Sequence, residues 1–141
     1  MTRDNQCMAC RTAAGEFAAD EVYRDDRVVV VLAQTAINPG HLVVVSVDHV
    51  RNALTMDEEL YLHMNRVARE MALRMREALP APSIMFCFNN EPPCQTVFHA
   101  HLHVIPRVTG DSLDGTFGVK PSAEERAALA ARLRPSLSAG I

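Results

Sequence analysis

Three of the chain's six histidines stand at every second position in the stretch FHAHLHVIPR, residues 98–107: His99, His101 and His103. Imidazole serves near neutral pH as nucleophile, proton carrier or metal ligand. In a β-strand, residues i, i+2 and i+4 line one face, so this spacing gathers three rings within a few ångströms. On a helix the same residues would fan over about 400° of arc, at ~100° per residue. Three charged imidazoles that close repel one another. Neutral, they suit attack on a phosphate or the binding of a metal. A three-histidine catalytic metal site with an open position is one reading of the spacing alone.

A second pattern is Cys7-x-x-Cys10. It reads as half of a zinc site, as a redox pair, or as two partly buried thiols in a short helix. A redox pair belongs between a strand and a helix in a βαβ unit, and the flanking sequence has no such unit. A zinc site needs two more ligands. Cys87, Cys94 and the histidines are the candidates, and spacing does not choose among them. Cys87 alternates with Phe86 and Phe88 and reads as core. His63 sits among charged neighbours and reads as exposed.

The elements that position these residues follow from local pattern. The stretch TVFHAHLHVI, 96–105, is rich in β-branched and apolar residues and ends at Pro106, so a strand is expected, with Phe98, Ala100, Leu102 and Val104 on its core face. Further strands are expected at Val22-Tyr23, at 28–32 (VVVVL), at 41–47 (HLVVVSV) and at 84–88 (IMFCF). Residues 6–14 suit a short helix or a metal-binding turn. Thr55, with Glu58 three residues on, predicts a helix start. Leu60, Met64, Val67, Met71 and Met75 carry the helical period to about Leu79, and Pro80 and Pro82 end it. After a loop with Gly110, Gly115 and Gly118, Ser122 and Glu125 predict a second helix over about 122–135. Strands joined by short links, with two helices, imply an α+β domain with a mostly antiparallel sheet.

Bulk properties narrow the function classes. The 141 residues are 48% hydrophobic, which suits one domain over 1–141 with a real core. The net charge of −3 gives no broad attraction to nucleic acid or anionic membrane. The opening MTRDNQCMAC lacks the apolar run of a secretory signal, and no apolar run reaches membrane-spanning length. A cytoplasmic protein with reduced cysteines is expected.

With these residues in view, the segment from Gln95 to Arg107 resembles the signature of the histidine triad (HIT) family of nucleotide hydrolases and transferases. That signature is three alternating histidines, preceded by Gln-x-Val and followed by Pro-Arg. Residues 38–49, NPGHLVVVSVDH, resemble the family's Pro-Gly-His segment, and Cys7, Cys10, Gly15-Glu16 and 22–26 (VYRDD) its N-terminal pattern. The resemblance implies a HIT-like fold: a five-stranded, mostly antiparallel sheet with one long central helix and a C-terminal helix, paired as a homodimer. It implies a purine nucleotide or nucleotide conjugate as ligand, and the charge and hydropathy add the expectation of no nucleic-acid or membrane partner. The implied reaction releases a nucleoside monophosphate from a phosphoramidate, an acyl-nucleotide or a dinucleoside polyphosphate through a nucleotidyl-histidine.

Residue by residue, His101 matches the nucleophile, His103 a phosphate contact and His41 the histidine that orients them. Gln95, Thr96, Asn89, Asn90 and Arg107 match positions that contact phosphate or leaving group. Arg107 is equally suited to pairing with a carboxylate. In the zinc-bearing branch, Cys7, Cys10, His49 and His99 match the four ligands of a structural Zn2+, held by an N-terminal segment of about residues 1–15.

Two departures stand out. The family's acidic ribose contact falls at Ala33, with neutral Gln34 beside it. The loop 89–95, NNEPPCQ, is about one residue short and carries Pro92-Pro93. These departures keep open an alternative, a regulatory module that binds nucleotide with slow or no turnover. A nucleotidyl transferase, with a phosphorylated acceptor in place of water, is a further reading.

Overall fold

A computed structural model of the chain describes residues 4–80, 83–111 and 120–134. Pro82, Gly115, Gly118, Pro135 and the tail after it lie outside the described residues. In chain order the elements are α1 (Met8–Ala13), a 3-10 turn (Ala18–Asp20), β1 (Glu21–Arg24), β2 (Val28–Leu32), β3 (Leu42–Ser46), α2 (Glu58–Ala78), β4 (Ser83–Phe88), β5 (His101–Arg107) and α3 (Ala123–Leu133). The strands form one antiparallel sheet in the order β1-β2-β3-β5-β4.

Strand alternation divides the sheet into a core face and a site face. Val28, Val30, Leu32, Leu42, Val44, Leu102 and Val104 bury against Leu60, Met64, Val67, Met71 and Met75 of α2 and Ala130 and Leu133 of α3. Each such large side chain, fully buried, contributes roughly 1.5–3 kcal/mol. Val43 and Val45 of β3 and His101 and His103 of β5 take the opposite positions and face the other side, where α1 lies. The α2 periodicity is as the sequence implies, but its cap is not Thr55. Asp57 caps it, accepting from the Leu60 amide at 2.8 Å, while the Thr55 hydroxyl bonds back to Asn52 in the preceding turn. Leu79, the residue before Pro80, is extended and closes the helix. Ser122 and Glu125 form the reciprocal cap expected at α3.

The histidine strand differs from the expected 96–105. It begins at His101 and runs through Pro106 to Arg107. Its pairing with β3 ends at Val104, so Pro106 lies where no donor is needed on that side. Residues 97–99 leave the ladder, and Ala100 is the transition: its carbonyl still accepts from the Ser46 amide of β3 at 3.2 Å, but its own amide bonds Val50 O at 2.6 Å. Phe98 therefore stands 41% exposed instead of joining the core. His99 is turned out of the row that His101 and His103 share. His63 is not free on the surface either: its Nε2 lies 2.7 Å from Asp25 Oδ2, and the Tyr23 hydroxyl donates to the same oxygen at 2.9 Å. Gly40, at φ +94°, turns the chain into β3, and a Cβ there would collide with Leu79.

Candidate active site and metal centre

Cys7 caps α1 and Cys10 lies one turn into it, so both thiols point the same way. The turn out of β3 brings up His49, and the departure of 97–99 from the sheet swings in His99. The four ligand atoms lie within 4.8 Å of one another. His99 Nδ1 stands 3.5 Å from Cys7 Sγ, 3.4 Å from Cys10 Sγ and 3.3 Å from His49 Nδ1, and Cys10 Sγ is 3.2 Å from His49 Nδ1. Separations of this size are the edges of a tetrahedron around a zinc ion with bonds of about 2.0–2.3 Å. The protons agree. His99 Nε2 is 2.7 Å from the Ser46 carbonyl, which can only accept, so the lone pair of neutral His99 is on Nδ1, facing the thiols. Burial pushes the Cys10 thiol up. A cation would reverse that by favouring the thiolate. The donor set fits zinc.

A second chain of hydrogen bonds fixes the remaining rings. The Ile37 amide donates to His41 Nδ1 at 3.1 Å, which places the proton of neutral His41 on Nε2. That Nε2 lies 2.9 Å from His103 Nδ1 and donates to it, so neutral His103 carries its own proton on Nε2. His101 Nδ1 lies 2.7 Å from the His99 carbonyl and must donate, which leaves the lone pair of neutral His101 on Nε2. His101 and His103 have ring centroids 5.0 Å apart. Burial, with the His103 and His101 rings adding repulsion, pushes His41 down to about 3. Burial, then His101, pushes His103 down to about 4. Both are neutral at pH 7, so the relay of protons has one arrangement.

His101 opens onto a cavity of about 420 Å³. Its floor is Val31, Val43 and Val45, its far wall Met8 and Phe17, and Gln34, Thr35 and Asp20 line it as well. A largely apolar cavity of this volume accepts a flat ring, and His101 lines it. The sequence showed the valines only as strand residues. Nothing in the pattern marked Met8, Phe17 or Asp20, because what makes them a wall is the packing of α1 on the site face.

The expected phosphate and leaving-group contacts divide. Gln34 lines the cavity. Thr96 is exposed on the segment leading to His99. Gln95 is buried, and its amide bonds Arg51 O at 2.7 Å and Val97 O at 3.0 Å, so both N–H groups are engaged in holding the loop. Asn90 accepts from the Ala53 amide at 2.9 Å, and Asn89 accepts from the Cys87 thiol at 3.3 Å; neither lines the cavity at His101. Arg107 lies four residues beyond His103, about 13 Å along the strand. Asp111 grips it at 2.8 and 3.0 Å, the carboxylate pairing that its sequence position allowed.

Comparison with known proteins agrees with this geometry. The sequence profile of the HIT domain matches residues 14–110. An uncharacterised HIT-like protein of Saccharolobus solfataricus is 32% identical over 106 residues, covering 74% of this chain and 76% of that protein. The crystal structure of a zinc-bound histidine triad family protein from Mycobacterium smegmatis superposes with a TM-score of 0.78 at 32% identity, covering 90% of this chain and 92% of that one. A HIT-like protein from Bartonella henselae, described as involved in cell-cycle regulation, gives a TM-score of 0.83 at 28% identity, covering 95% and 98%.

Proposed function

The chain belongs to the HIT domain family, and on that premise we propose that it is a nucleotide-binding hydrolase that releases a nucleoside monophosphate through a nucleotidyl-histidine. The leaving group is an amine, an acyl group or a second nucleotide. The observation that carries this reading is the lone pair on His101 Nε2, held toward the cavity by the bond from Nδ1 to the His99 carbonyl. In the first step that lone pair attacks the α-phosphorus. A P–N bond forms, and the bond from phosphorus to the leaving group breaks. The leaving group departs with a proton drawn from solvent. Water then attacks the same phosphorus and returns a proton to solvent, the P–N bond breaks, and Nε2 regains its lone pair. His103, with its proton on Nε2, donates to a phosphate oxygen as charge builds there, and His41 keeps that proton in place. The exposed Thr96 hydroxyl is a further donor at the phosphate. Gln34 is a neutral partner for the sugar where Ala33 offers none.

Zn2+ held by Cys7, Cys10, His49 and His99 is structural in this reading, since four protein ligands leave no open position. It ties α1, one wall of the cavity, to the segment leading into β5. The chain acts as a homodimer. β4 is an outer strand whose Met85 and Phe86 are 37% and 50% exposed, and a second β4 would pair with that edge.

Phosphorus NMR with adenosine 5′-phosphoramidate tests the reaction. The wild type releases AMP, and His101→Ala is slower by about a thousandfold or more while still binding AMP. Near wild-type turnover in the variant would remove His101 from the chemistry. AMP binding without turnover by the wild type, on dinucleoside polyphosphates as well, would favour the regulatory module, which the missing carboxylate at Ala33 supports.

A further inference from the structure

The cavity at His101 holds one carboxylate, and the phosphate chemistry does not use it. Asp20 is 7% exposed and lines the cavity from the end of the 3-10 turn. Its Oδ1 accepts from Arg126 Nε of α3 at 2.9 Å, and Arg126 is anchored in turn to the Pro121 carbonyl at 2.9 Å. Among the described residues, Asp20 Oδ2 has no partner. A buried carboxylate that lines an apolar cavity and has only one oxygen engaged is poised to accept from a ligand donor.

The sheet register places the residue after Asp20 relative to the chemistry. His103 pairs with Val43, Val43 with Val31, and Val31 with Glu21, so one row crosses four strands from the histidines to the residue after Asp20. Three steps of about 4.8 Å make the row about 14 Å long. Val43 and Val31, in the middle of it, are the cavity floor. A nucleotide with its phosphorus at His101 Nε2 lays its sugar next to the histidines and its base over the valines, under Met8 and Phe17. The far edge of the base then faces Asp20.

We propose that Asp20 reads the base, accepting a hydrogen bond through Oδ2 from an exocyclic amino group, and that the site is selective for amino-bearing purine nucleotides. This inference rests on the nucleotide reading of the cavity. A purine fits the span better than the shorter pyrimidine ring. A carboxylate accepts and does not donate, so a base edge presenting only acceptors is repelled there. The contact with Arg126 holds the carboxylate in place. It also connects α3 to the floor of the site.

Calorimetric titration with AMP and with purine riboside 5′-monophosphate, which lacks the 6-amino group, is the test. The wild type binds AMP about tenfold more tightly, the size of one hydrogen bond to a charged group. Asp20→Ala binds the two alike, while Arg126→Gln, which loses the same ion pair but keeps the carboxylate, retains a preference for AMP. Equal affinity of the wild type for the two nucleotides overturns the inference and leaves the nucleotide reading intact. So does an undiminished preference in Asp20→Ala. Binding of neither nucleotide to the wild type overturns both.

Discussion

His41 and His103 are buried against each other; the Ile37 amide, which can only donate, sets the proton of His41, and His41 in turn sets that of His103. Because burial lowers both, to about 3 and about 4 from an ordinary 6.5, the folded protein binds fewer protons than the unfolded chain below pH 6.5. Their neutral state is therefore favourable to folding above that value, and stability is lost as pH falls toward 4. Between about pH 6.5 and 5 the carboxylates remain ionised, so the histidines dominate the slope there. The melting temperature should be flat from pH 8 to 7 and fall below 6.5. The fall should be shallower in His41→Asn, and equal slopes in the two proteins would contradict the assignment. At this scale the sequence was legible for which side chains come together: His101 and His103 with His41, and the C-x-x-C pair with His49 and His99. It was not legible for Gln95 and Arg107. Their partners, Arg51 and Asp111, are set by how loops close, and a motif does not encode that.

The strands and both long helices follow the sequence's periodicity, and the deviations have local causes. Asp57 displaces Thr55 as the cap because Thr55 is already bonded within the turn 52–56. β5 starts late because Ala100 bonds Val50 outside the ladder, and that irregularity is what delivers His99 to the two cysteines. A strict alternating strand from 96 would have kept His99 beside His101 and away from Cys7 and Cys10. If zinc joins α1 to that segment, Cys7→Ser with Cys10→Ser should lose the metal in elemental analysis. It should also melt about 10 °C or more lower, since structural zinc contributes strongly to folding. Full zinc content in that double variant would place the ligands elsewhere.

Across the whole molecule, the sheet is a plate with two uses. Its core face is filled by α2 and α3. Its site face carries a row of small valines that leaves room for a ligand, with histidines at one end and Asp20 at the other. The antiparallel sheet and its two helices were visible in the sequence, whereas the cavity was not, since it arises only when α1 closes over β2 and β3. Among the described residues no helix is long and apolar enough to cross a membrane. If two copies pair at the apolar outer edge of β4, Phe86→Lys should shift sedimentation from dimer to monomer; an unchanged dimer would move the interface off β4. The claim on which the account turns is the covalent one. The wild type mixed with a nucleotide phosphoramidate, quenched in base within one turnover and digested, should yield a single nucleotidylated peptide with the adduct on His101. Turnover at full rate with no adduct, or an adduct on His103 or elsewhere, would contradict it.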